Sequence, residues 1–100
     1  MNIQGNIGEW YQNQTPEMQL EFINWIYAEL RTRAVPISFN KADGSVRNMT
    51  ATLQESIIDG DQGISESVMT TTAENHVIVV WDMGVNAWRS FRLDRLITIE

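Results

Sequence analysis

Apolar residues recur at every fourth position in the first third of the chain, which is the period of an amphipathic α-helix. These positions are Met18, Phe22, Ile26 and Leu30. Thr15 is suited to cap the start of a helix, Pro16 to occupy its first turn, and Pro36 to follow its end. The pattern predicts one helix within residues 15–34. The Asn- and Gln-rich segment before it, residues 1–14, is expected to be an irregular arm.

The segment from Ile37 to Leu53 alternates between apolar and polar residues on both sides of Ala42-Asp43-Gly44. Such alternation is typical of paired β-strands that bury one face. A three-residue loop ending in glycine joins two strands well, because its last residue adopts a positive φ. We therefore expect a hairpin in which Ile37 opposes Met49 and whose inner face carries Ile37, Phe39 and Leu53.

A second alternating pattern flanks a turn at residues 83–86. Its register pairs Ile78 with Phe91 on the inner face and Trp81 with Trp88 on the outer face. This pattern predicts a second hairpin.

A final short strand is expected at residues 96–99, so that one helix precedes about five strands. The chain is predicted to be mainly β with one N-terminal α-helix, the helix packing on a small antiparallel barrel of residues 35–100. A barrel closes the edges that a flat sheet would expose. The predicted core is formed by Ile37, Phe39, Leu53, Ile78, Val80, Phe91 and Leu93.

The barrel segment resembles the WYL domain family in two places. One is the string Trp88-Arg-Ser-Phe-Arg-Leu-Asp-Arg-Leu96, and the other, similar to the small phage-encoded branch, is Phe39-Asn-Lys-Ala-Asp-Gly-Ser-Val-Arg-Asn-Met49. The triplet that names the family has no counterpart, since His76-Val77-Ile78 takes its place. The resemblance implies an Sm-like or SH3-type β-barrel.

The net charge of −6, from 13 acidic and 7 basic residues, is unevenly spread along the chain. Residues 54–75 carry five acids and no base, whereas residues 76–100 contain three arginines and three acids. An acidic protein repels phosphate at long range, so composition argues against indiscriminate coating of nucleic acid. The grouped arginines still favour a local anion-binding site.

The resemblance also implies a role for these arginines. Larger members of the family look like sensor domains of transcriptional regulators that bind nucleic-acid-type ligands through barrel arginines. By position, this role falls on Arg89, Arg92 and Arg95. The predicted register sets Arg92 on the face of Trp81 and Trp88, where a guanidinium beside aromatic rings suits a nucleotide or a single strand.

The same residues also have structural explanations. In that alternative, Trp81 and Trp88 form a stabilising cross-strand pair, and Arg95 holds its own turn. Arg89 and Arg47 would then lie at the barrel rim with their charged ends in water.

A protein-interaction function is the alternative to nucleic-acid binding. The acidic segment suits a basic partner, and the wide apolar arc of the helix leaves an aromatic residue for a second contact. Such a module would inhibit or redirect a host factor. Its predicted contact residues are Glu55, Asp59, Asp61, Glu66 and Trp25. A homo-oligomer, assembled as an Sm-like ring through strand edges, is a third alternative.

Several kinds of chemistry lack the residues they need. With no cysteine and one histidine, the chain offers no thiolate and no His-based zinc site. The string Asp59-Gly-Asp-Gln-Gly63 lacks the glycine and glutamate positions of a calcium loop. We therefore expect no metal, no cofactor and no enzymatic activity.

No apolar run approaches the roughly 20 residues that span a bilayer. We expect no membrane contact and a cytoplasmic location, in the host cell if the chain is phage-encoded. The sequence thus predicts a non-enzymatic, phage-type accessory or regulatory binding module.

Overall fold

The computed structural model describes residues 5–54 and 72–100. Two helices precede the strands in these ranges. The elements in chain order are α1 (Ile7–Gln12), α2 (Pro16–Thr32), β1 (Val35–Asn40), β2 (Val46–Thr52), β3 (Val77–Asp82), β4 (Ala87–Arg92), a 3-10 turn (Leu93–Arg95) and β5 (Leu96–Ile99). Within the described ranges, no helix has the length and apolar character needed to cross a membrane.

Helix α2 follows the sequence signals closely. Thr15 caps it, as predicted, by accepting a hydrogen bond from the backbone N–H of Met18, and Pro16 occupies its first turn. Its buried side chains face the sheet and are Phe22, Ile23, Ile26, Tyr27 and Leu30.

The prediction of an irregular N-terminal arm is wrong for Ile7–Gln12, which forms helix α1. The side chain of Asn6 caps this helix by accepting a bond from the backbone N–H of Glu9. Tyr11 is buried, and its ring lies 5.8 Å from that of Phe22. A helix of six residues is unstable alone and too short to show a clear period, so tertiary packing decides its structure.

The five strands form one antiparallel sheet in the order β4-β3-β2-β1-β5. Both hairpins have the predicted register, with Ile37 opposite Met49 and Ile78 opposite Phe91. Although β1 and β4 are not neighbours in the sheet, the rings of Phe39 and Phe91 stack with centroids 5.0 Å apart. The sheet is therefore curled so that these strands face each other across the core.

The predicted core is confirmed, because all of its members are buried. Leu93, Ile78 and Val80 are fully enclosed, and Phe39 is the most exposed of the set at 6%. The helices complete this core, which also contains Ile7 and Tyr11 from α1. The predicted loop at 54–75 lies outside the described residues over positions 55–71, and residues 72–75 are helical.

Because of the buried hydroxyl of Tyr11, we expect the protein to lose stability at alkaline pH. It lies 2.5 Å from Nδ1 of His76, and burial, as the largest cause, raises its pKa from 10.0 to about 12. As the pH rises, the unfolded chain loses this proton before the folded chain does. The contribution of Tyr11 to the free energy of unfolding is therefore complete below pH 10 and disappears as the pH rises to about 12. We expect urea unfolding to show a loss of about 2–3 kcal/mol over this interval.

The control is Tyr11→Phe, which has no proton to lose at this position. Part of the alkaline decline should remain in that variant, because burial also raises the pKa of Tyr27. An unchanged decline in Tyr11→Phe would contradict the assignment.

Candidate functional site

An open cleft of about 550 Å³ lies between strand β4 and the end of the β1–β2 hairpin. Five of the seven Lys and Arg residues of the chain line it. They are Lys41, Arg47, Arg89, Arg92 and Arg95. Phe39, Phe91 and Trp88 supply apolar surface to the same cleft, and its lining includes no Asp or Glu from the described residues. A protein of net charge −6 thus gathers most of its positive charge in one place.

The hairpin loop holds one side of the cleft in a fixed shape. Gly44 has a φ of +89°, as the sequence predicts, and Lys41 and Ser45 are joined by a backbone hydrogen bond of 2.8 Å. The carboxylate of Asp43 accepts bonds from the backbone N–H and the hydroxyl of Ser45, and these bonds lower the pKa of Asp43. Arg47 pairs with Phe39 in the two strands that flank this loop.

Arg89 is anchored at one nitrogen and available at the others. Its Nε donates to the carboxylate of Asp82 at 3.2 Å, and that carboxylate also accepts the backbone N–H of Gly84 at 2.9 Å. Asp82 is buried, with a side-chain exposure of 6%, so it holds Arg89 firmly. The terminal Nη groups of Arg89 have no partner among the described residues, and they can bind an anion.

The guanidinium of Arg92 is largely occupied by Asp94, which lies in the adjoining 3-10 turn. Its Nε and Nη2 donate to the two carboxylate oxygens of Asp94 at 3.0 Å and 2.9 Å. This two-point pair lowers the pKa of Asp94 and raises the pKa of Arg92. Of the arginines predicted from the sequence, Arg92 is therefore the least available for a ligand.

Lys41, Arg47 and Arg95 make no ion pair within residues 5–54 and 72–100. Arg95, which the resemblance predicts as a ligand residue, is exposed on the 3-10 turn. Lys41 was missed, and Arg47 was expected only at the rim. The available signal was that five of the seven cations follow residue 34, but the curl that brings the hairpin to β4 is not visible in the sequence.

The two tryptophans have different environments. Trp88 is 38% exposed and lines the cleft, whereas Trp81 is 8% exposed and is absent from its lining. Their rings meet nearly at right angles, at 84°, with centroids 5.4 Å apart. Trp81 therefore supports Trp88, which presents the open aromatic surface.

Of the residues predicted for the protein-interaction alternative, Trp25 alone lies within the described residues. Trp25 is half-buried, and its ring lies 5.8 Å from that of Phe22 at the edge of the core. Glu55, Asp59, Asp61 and Glu66 lie outside the described residues, as does the rest of the Asp59–Gly63 string.

Comparison with known proteins agrees with the fold and with the resemblance seen in the sequence. The family model WYL_2, described as an Sm-like SH3 beta-barrel fold, matches residues 23–97. The chain is 26% identical over 86 residues to an uncharacterized 11.5 kDa protein in the Gp31-cd intergenic region of Enterobacteria phage T4, a match that covers 86% of this chain and 84% of the relative. No solved structure gives a significant match.

Proposed function

Since the chain belongs to the WYL_2 family, with its Sm-like SH3 β-barrel fold, we propose that it is a non-enzymatic, phage-type regulatory module whose cleft binds a nucleic acid or a nucleotide. The observation that carries the proposal is the convergence of five of the seven cations in one open cleft. On the phage relationship, its place of action is the cytoplasm of the host cell.

The cleft provides both kinds of contact that a nucleotide needs. Arg47, Arg95 and the Nη groups of Arg89 donate hydrogen bonds and positive charge to phosphate oxygens. The exposed ring of Trp88 offers a stacking surface for a base. The net negative charge of the whole chain repels phosphate elsewhere, which favours one localised site.

Binding without turnover fits the chemistry of the described residues. The single histidine, His76, is bonded to Tyr11 and does not line the cleft. No side chain in the lining is therefore paired with an imidazole that could activate it as a nucleophile. The proposed role is recognition, with the bound ligand controlling what the protein does next.

Arg47→Ala is expected to weaken binding of a fluorescent single-stranded oligonucleotide by about tenfold, because it removes a phosphate contact. Fluorescence anisotropy over a series of salt concentrations should show weaker binding as salt rises. The slope of log K against log salt should fall by roughly 0.7 in the variant. Arg95→Ala should behave alike, and Arg92→Ala should have a smaller effect because Asp94 already occupies its guanidinium.

The matched control is Arg33→Ala, which removes the same charge from the end of α2, where Arg33 pairs with Glu29. It should leave the affinity nearly unchanged. Equal weakening in Arg33→Ala and Arg47→Ala would mean that only net charge matters. Binding of a basic host protein that survives Arg47→Ala, with no oligonucleotide binding in any form, would instead favour the protein-interaction alternative.

A further inference from the structure

Strand β4 lies at one edge of the sheet, with β3 as its single neighbour among the described strands. This edge forms one wall of the basic cleft. The N–H and C=O groups on the outer side of β4 have no backbone partner among the described residues, and we infer that they contact the bases of an extended single-stranded nucleic acid. This inference rests on the proposed function and specifies its ligand.

The register shows which backbone groups of β4 point away from β3, toward the edge of the sheet. Opposed residues in an antiparallel pair alternate between those that exchange backbone hydrogen bonds and those that do not. The N–H of Leu93 donates to the carbonyl of His76 at 2.8 Å, so this pair is of the bonded kind. Counting back along the register, the residues of β4 whose N–H and C=O point away from β3 are Trp88, Ser90 and Arg92. All three line the cleft, as do Arg89 and Phe91 between them.

The spacing of these free groups favours an unstacked strand over a duplex. Alternate residues of a β-strand are about 6.8 Å apart. Stacked bases in a duplex rise about 3.4 Å, and their Watson–Crick edges are occupied by pairing. Each free residue of β4 offers one donor and one acceptor, as the edge of an unpaired base does. An extended single strand can therefore place successive bases against successive free residues, for up to three nucleotides.

The charges lie where the backbone of such a ligand would need them. Lys41 and Arg47 belong to the hairpin on the opposite side of the cleft from β4, and Arg95 lies just beyond the end of β4. Phosphates bound by these cations would leave the bases directed toward the strand edge. Arg89 and Trp88 project from opposite faces of β4, so a base at the edge has a guanidinium on one side and an aromatic ring on the other.

The test compares four probes on the full chain labelled with ¹⁵N. They are a mixed-sequence trinucleotide, an abasic trimer with the same phosphates, tripolyphosphate and a tri-glutamate peptide. Affinities come from calorimetry, and amide hydrogen exchange is followed by NMR. The trinucleotide should bind about tenfold more tightly than the abasic trimer. It should also slow exchange at the amides of Trp88, Ser90 and Arg92.

The amides of Arg89 and Phe91 are internal controls, because they are bonded to β3 and should respond little. If the abasic trimer and tripolyphosphate bind as tightly as the trinucleotide, and the edge amides do not respond, the inference is overturned while the proposed function stands. If none of the nucleic-acid or phosphate probes binds, both are overturned. If the peptide protects the edge amides more strongly than the trinucleotide, the edge accepts a peptide strand and the inference is overturned.

Discussion

Replacing Phe91 by alanine is expected to destabilise the protein by about 3–5 kcal/mol, which is enough to unfold a domain of marginal stability. Phe91 is 4% exposed and pairs with Ile78 in the central register of the second hairpin. Its ring also stacks on Phe39, so that it joins β4 to β1 across the core. Removing the ring would leave a cavity at a place where no sheet hydrogen bonds connect these two strands. Chemical denaturation followed by Trp fluorescence measures the effect.

The control for this variant is Val79→Ala on the neighbouring strand. Val79 is 45% exposed on the outer face, so its truncation should change stability by less than about 1 kcal/mol. If the two substitutions have similar effects, Phe39 and Phe91 do not hold the curled sheet together.

Gly8→Ala is expected to destabilise the protein by about 3 kcal/mol, at the upper end of the range for overpacked sites. A Cβ at this position would lie 2.3 Å from the carbonyl oxygen of Asp94 and 2.9 Å from that of Leu96. Both obstacles are backbone atoms, so α1 or the 3-10 turn must move. Helix propensity alone would predict the opposite result, because replacing glycine by alanine stabilises an isolated helix by about 1 kcal/mol.

Glu9→Ala provides the comparison within the same helix. Glu9 is exposed, and its carboxylate makes no contact that holds α1 to the turn within the described residues. The stability of this variant should stay close to that of the parent chain. Thermal unfolding of both variants checks the prediction, and a Gly8→Ala variant as stable as the parent would mean that α1 does not pack closely against the turn.

Local patterns in the sequence were sufficient to predict both hairpins. Alternation set the register that pairs Ile78 with Phe91, and the Asp43-Gly44 loop identified the first turn. The start of α2 was equally local, because a cap and a proline mark it within two residues. These features depend on neighbours in the chain or on one partner strand, and such information is present in a single sequence.

The features that were missed depend on the curl of the whole sheet. Lys41 and Arg47 join the arginines of β4 only because β1 faces β4 across the core. Trp81 was predicted as a ligand residue, but it is covered while Trp88 remains open. The pairing of Arg92 with Asp94 could be expected from their spacing, yet its effect on ligand binding needs the geometry of both bonds.

Helix α1 lies wholly before residue 23, where the match to the family begins. Its Tyr11 is nevertheless part of the common core, and its Gly8 lies against the turn that carries Arg95. A fragment trimmed to residues 23–97 would lose Phe22 from the core together with α1, and it would remove the support behind that turn. In this protein, the segment that matches the family is shorter than the segment that packs into one core. Domain boundaries chosen from the match alone would therefore divide the core.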